Sequence, residues 1–233
     1  MQLSHARPVV SAVFDDPNLV SAVGLVPVMA LAERAGLRAL ADEHLWVPGD
    51  KGANAGLKVS SLVAGMCAGA DSIDDMAVLR HGGMGRVFER AYAPSTLGSF
   101  LRGFTFGHVR QLDAVAARFL TALAQRTRLL AGVQNMVLVD VDDTIIEVHG
   151  GAKQGADVGY SGIRGLNALL ATITTPGAAP VIAAQRLRRG GSGSSRGAAR
   201  IVADTLATLK RLRAGATADR AGMVPAGMVL LRG

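Results

Sequence analysis

A chain of 233 residues with one cysteine, Cys67, cannot form an internal disulfide. Cys67 lies in an apolar helical stretch with no pairing residue nearby, so a thiol nucleophile is not expected and a small core residue is. Aromatics are scarce as well: six Phe, two Tyr and one Trp are too few for the multi-base stacking platform of single-strand binders. Trp46 is expected to pack beside a turn. The longest apolar stretch, around Val59 to Ala70, falls well short of the ~20 residues that span a bilayer. His5, Arg7, Asp15 and Asp16 interrupt the first apolar residues, unlike a secretory leader, which points to the cytoplasm. Neither His5, His44, His81, His108 nor His149 has metal-ligand spacing, and there is no internal repeat.

What is present is positive charge. Lys and Arg number 25 against 18 Asp and Glu, a net charge of +7. Such a balance favours a polyanionic partner, nucleic acid first and an anionic membrane second. The excess is concentrated between Gln185 and Arg220, in Arg186, Arg188, Arg189, Arg196, Arg200, Lys210, Arg211, Arg213 and Arg220 against Asp204 and Asp219. That segment reads either as a solvated helix face or as a phosphate-binding surface with salt-dependent, sequence-independent affinity. Lys153 and Arg164 are two further candidates for phosphate contact.

Organisation changes near residue 132. Before it, apolar spacing is helical: Leu25, Val28, Met29 and Ala32, then about Leu57 to Gly69, then a stripe of Val109, Leu112, Ala116, Phe119 and Leu123 with Arg110, Arg118 and Arg126 on the solvated side. Ser72-Ile73-Asp74-Asp75 has the form of a capping box, with both Asp favouring a helix N-terminus. His81-Gly82-Gly83-Met84-Gly85 is a predicted loop, and Ser95 a predicted cap after Pro94. Beyond residue 132 the pattern predicts strands at Met136–Ile146, Asn167–Thr175 and Pro180–Leu187, the last two joined by Pro176-Gly177, in an antiparallel meander. A Gly-rich turn, Gly150 to Gly159, follows the first strand. A helix follows from about Ser195, its possible cap, to Arg213 with Val202, Leu206, Leu209 and Leu212 on one face, and Met228–Leu231 begins a last strand. The fold class is α+β.

The sharpest feature is Leu138-Val139-Asp140-Val141-Asp142-Asp143-Thr144. Strand periodicity puts Asp140, Asp142 and Thr144 on one face and Asp143 on the other. Carboxylates on a buried strand are costly unless they meet a cation or protons. An Asp that merely ends a strand before a turn is the bland alternative; successive carboxylates favour a divalent-metal or phosphate-chemistry site. In two-metal phosphoryl transfer a strand Asp holds Mg²⁺, an oxygen-seeking ion that leaves positions open for phosphate.

Asp140-Val141-Asp142-Asp143-Thr144 resembles the first motif of haloacid-dehalogenase phosphatases. That resemblance implies Asp140 as the nucleophile and Asp142 as the general acid. It departs from the family in lacking a later acidic pair, with Lys210 the only lysine after Lys153.

A wider resemblance, from about residue 20 to 213, is to bacterial insertion-sequence transposases of the DDE type. It is carried by Gly24-Leu25-Val26-Pro27, Asp50-Lys51-Gly52-Ala53-Asn54, Ser72-Ile73-Asp74-Asp75, Leu79-Arg80, Ala93-Pro94-Ser95-Thr96-Leu97-Gly98, Val137 to Thr144 and Gly159 to Leu170. The resemblance implies a helical region, 1–131, contacting DNA ends or other subunits, followed over 132–233 by an incomplete RNase H-like α/β domain. It makes Asp142, with Asp140 as the alternative, the first catalytic and metal-ligating acid for Mg²⁺ or Mn²⁺. Arg186, Arg188, Arg189, Arg196 and Arg200, with Lys153 and Arg164, become candidate DNA-phosphate ligands. Partners would be double-stranded DNA (terminal inverted repeats and target), further copies of the chain or a full-length transposase, and no membrane; the expected location is the bacterial cytoplasm, at the nucleoid. The family's second Asp follows an apolar run and an Arg, here Met228–Leu231 and Arg232, and the sequence reaches only Gly233 beyond them; its third acid, a Glu, has no counterpart. Asp204 and Asp219 are poor substitutes, and Ala218 to Gly227 fits the family less well. The expectation is therefore an N-terminal transposase portion, inactive alone and exposing a sheet edge and an apolar face. A non-catalytic DNA-binding competitor of full-length transposase and a decaying gene product are the remaining alternatives.

Overall fold

The computed structural model describes residues 16–88, 91–193, 195–217 and 227–233. His5, the N-terminal pattern around it, Asp219 and Arg220 lie outside these residues. The helical region contains α1 (Leu25–Arg34), α2 (Leu37–His44), α3 (Ala55–Cys67), α4 (Pro94–Arg102) and the long α5 (Phe106–Arg126). Gly36, at φ 82°, makes the left-handed link that turns α1 into α2. The N-terminus of α3 is capped from outside: Gly56 N–H donates to the Asp42 carboxylate at 2.7 Å, so a side chain on α2 satisfies an orphan donor of α3. Ala41, Leu97 and Phe100 are fully buried at the centre of this half. Lys58 is buried there as well, its Nζ donating to the Lys51 carbonyl at 2.8 Å and lying over the Phe100 ring; burial lowers its pKa.

Several local expectations need correcting. Residues Asp74–Arg80 and Gly82–Arg86 form 3₁₀ turns rather than an α-helix and a loop. The capping contacts are nevertheless made: the Asp75 carboxylate accepts from both the backbone N–H and the hydroxyl of Ser72, which lowers its pKa. Ser95 is not a cap, because α4 starts at Pro94 with extended Ala93 before it. Nor is Ser195, which lies a turn ahead of the last helix. Cys67 and Trp46 are exposed rather than packed, Trp46 at 71%. In α5 the buried residues are Val115 and Leu120, while Val109 of the expected stripe is 44% exposed.

The second half is a five-stranded sheet: β1 (Val137–Glu147), β2 (Asp157–Val158), β3 (Arg164–Thr175), β4 (Ala178–Arg189) and β5 (Val229–Arg232). β1 pairs antiparallel with β3, and β3 antiparallel with β4 through the two-residue Pro176-Gly177 turn. That is the predicted meander. Ala183 is the extra residue of a β-bulge in β4. After α6 (Ala198–Thr217) the chain returns as β5, parallel to β1 and on its other edge. The molecule is thus a mixed α+β protein.

One face of the sheet carries Val137, Val139, Val141, Leu169, Ala171 and Ile173, covered by α5 and α6. Ile201, Thr205, Thr208, Leu209 and Leu212 form the buried face of α6; Leu206, expected there, is 40% exposed. The helices α1 to α5 precede β1, and α5 serves both cores, with Val115 in the helical one and Leu120 in the sheet one. The opposite sheet face leaves Ile146, Leu187 and Leu230 exposed by 49%, 58% and 42%. Among the described residues no helix is long and apolar enough to cross a membrane.

Truncating Phe100 should expose the difference between the true core and the apparent stripe. Phe100→Ala should cost about 3–5 kcal/mol in urea unfolding. Val109→Ala should stay within about 0.5 kcal/mol.

Candidate functional site

β1 occupies the middle of the sheet, and its alternation sorts the three acids as the spacing predicts. Asp143 shares a face with Val139 and Val141, beneath the helices; Asp140, Asp142 and Thr144 lie on the opposite face.

The core-facing acid is bound within the fold. Arg188 Nη2 donates to Asp143 Oδ2 at 2.8 Å, and Asn167 Nδ2 donates to the same oxygen at 2.5 Å. The guanidinium also donates twice to Asn167 Oδ1, from Nε at 2.9 Å and Nη2 at 2.6 Å, and Nη1 donates to the Gly193 and Arg196 carbonyls. With its side chain only 5% exposed, Arg188 ties β1, β3 and β4 to the loop before α6. It is therefore not a surface phosphate ligand, which corrects the expectation: a strand position of core parity forces its side chain inward.

On the open face the two acids differ. The Asp140 carboxylate takes a bidentate pair from Arg232, Nε to Oδ1 at 2.5 Å and Nη2 to Oδ2 at 2.9 Å. The parallel register sets Asp140 directly beside Arg232, and the pairing raises the arginine's pKa. Asp142 is exposed, and among the described residues it receives only the backbone N–H of Asp143, at 2.8 Å, and meets no cation. Its cross-strand neighbour is Leu170.

A two-metal site needs several oxygen donors converging on one point. Among the described residues no group of three potential ligands forms one. On the open face of β1 Asp142 is the one carboxylate with no cation among the described residues, while Asp140 is held by Arg232, so these residues do not fit a two-metal centre.

Most of the other candidate cations are engaged too. Arg186 and Arg200 both pair with Asp204, which Arg110 also reaches from α5 at 3.4 Å. Arg110 is thus an interhelical tie rather than a solvated residue, and it also pairs with Asp113 at 2.8 Å. Burial raises the Asp113 pKa, opposed by Arg110. Arg189 pairs with Asp157 at 3.0 Å. Arg164 donates to the carbonyls of Val148, Gly150 and Gly151, which hold its position without cancelling its charge. Among the described residues Lys153, Arg164 and Arg196 have no carboxylate partner.

Two functional contacts escaped the sequence. Asn167 is a polar residue on a largely apolar strand, and its parity with Leu169 marks it as inward. Arg232 was legible only as the residue after an apolar run; its contact with Asp140 depends on parallel register. Comparison with protein-family models, with curated proteins and with solved structures finds no match.

Removing one partner of the buried pair should be costly and removing both less so. Arg188→Met should destabilise the fold by about 3–5 kcal/mol by leaving Asp143 unpaired. Adding Asp143→Leu should recover part of that loss, giving a non-additive double-mutant cycle in urea unfolding.

Proposed function

We propose that the chain is the DNA-binding, first-acid portion of a DDE-type insertion-sequence transposase. It binds double-stranded DNA at transposon ends, and Asp142 is the first acid of a phosphoryl-transfer site that these residues alone leave incomplete. The observation that carries this is Asp142 itself, a carboxylate without a cation partner among the described residues, on the solvent face of the central strand. The register gives further support. Arg232 stands beside Asp140 on the parallel neighbour β5 and occupies its carboxylate, which leaves Asp142 as the open-face acid of β1 without a cation among the described residues. The meander followed by a helix and a strand returning beside β1 accords with an RNase H-like domain.

The excess positive charge supplies affinity for the phosphate backbone. In the phosphatase alternative Asp140 would have to attack as a nucleophile, yet both its oxygens are held by Arg232. No observation favours that alternative.

Purified chain should shift short duplex DNA at low salt, with affinity falling steeply as salt rises. It should not cleave that DNA in Mg²⁺ or Mn²⁺, and Asp142→Ala should leave binding unchanged. Absence of any DNA binding would overturn the proposal. Metal-dependent nicking abolished by Asp142→Ala would overturn the incompleteness of the site, and hydrolysis of a phosphate monoester lost in Asp140→Ala would establish the phosphatase instead.

A further inference from the structure

The hairpin between β2 and β3 presents an aromatic ring wholly to solvent. Gly159 N-terminal to it and Gly162 beyond it close a turn, Gly162 N–H donating to the Gly159 carbonyl at 3.0 Å, with Tyr160 and Ser161 at its tip. Tyr160 is fully exposed, and Val158 and Ile163 on either side are 56% and 44% exposed. Three apolar side chains displayed on one short loop have no packing purpose within the described fold.

The loop is nevertheless held in place. Val158 pairs with Arg164 in the β2–β3 ladder, and Gly190 N–H donates to the Gly155 carbonyl at 3.1 Å. Gly159 lies so close to Gly190 that an added Cβ would come within 2.6 Å of its carbonyl oxygen. Arg164 ties the base of the loop through the carbonyls of Val148, Gly150 and Gly151. A braced loop loses little conformational freedom when its tip is buried by a partner.

Its surroundings are basic. Lys153 and Arg164 at the base have no carboxylate partner among the described residues, while Asp157 is already paired with Arg189. An aromatic tip flanked by uncompensated cations matches a polyanion that also offers flat apolar faces.

We propose that this hairpin contacts a nucleic-acid strand, Tyr160 stacking on an unpaired or unstacked base while Lys153 and Arg164 attract the neighbouring phosphates. The proposal rests on the function proposed above for the class of its partner and adds the surface and the mode of contact. One ring engages one base, consistent with a chain too poor in aromatics for a platform. A bilayer is the weaker occupant, because Gly159, Ser161 and Gly162 leave too narrow an apolar surface for interfacial anchoring.

The test is fluorescence anisotropy of the full chain with labelled gapped duplex and with labelled single strand, beside sedimentation with phosphatidylserine-containing vesicles. Tyr160→Ala should weaken binding to the unpaired segment by roughly 5- to 100-fold. Tyr160→Phe should bind like wild type, and a fully paired duplex should be little affected by either. In a Trp46→Phe background, Tyr160→Trp should introduce emission that is quenched when the gapped DNA is added. Wild-type-like binding by Tyr160→Ala, or no quenching in a folded Tyr160→Trp variant that binds DNA, would overturn this proposal and leave the proposed function standing. Failure of the wild-type chain to bind any DNA would overturn both. Vesicle binding lost in Tyr160→Ala, with DNA binding unaltered, would assign the hairpin to a membrane surface and overturn it as well.

Discussion

The second half of the molecule is organised around the guanidinium of Arg188, buried with the Asp143 carboxylate and the Asn167 amide. A guanidinium in an apolar setting is tolerable only if its donors are met and its charge opposed. Here the bonds span three adjacent strands and reach the loop that leads into α6. One residue of strand slippage would turn Asp143 to solvent and strand Arg188 beneath the helices, so the pair discriminates strongly against wrong registers. The register it enforces is the one that puts Asp140 and Asp142 on the open face.

That division explains how three acids in four residues acquire different chemistries. Asp143 is structural because its face is covered by α5 and α6. Asp140 is neutralised because the parallel neighbour β5 presents Arg232 at its level. Asp142 keeps an exposed carboxylate because its cross-strand neighbour on β3 is Leu170, which offers no cation. The same logic separates the arginines: the alternating positions Arg186 and Arg188 turn to the helix side and find Asp204 and Asp143, whereas Arg189 turns out and meets Asp157.

Legibility followed the range of the interactions. The meander could be read from period-two patterning and from Pro176-Gly177, both local signals. The opposed faces of Asp142 and Asp143 were legible too, since strand alternation needs no knowledge of neighbours. The buried face of α6 is masked in the sequence because Thr205 and Thr208, which bury their methyl-bearing side chains and satisfy their hydroxyls on the Ile201 and Asp204 carbonyls, look polar. Val109 and Leu206 misled in the opposite way: each is apolar, yet its place on the helix faces away from the packed layers.

The sequence by itself determined the α+β class, the strand and helix succession, the basic balance and the sorting of the acids across β1, because each depends on local periodicity or on composition. Tertiary structure alone decided which charges remain available. Arg188, Arg186 and Arg232 have the same chemistry as Arg196 on paper. Their fates diverge because ion pairing depends on what lies opposite after strands have aligned and helices have packed, contacts between residues up to 94 positions apart in the chain.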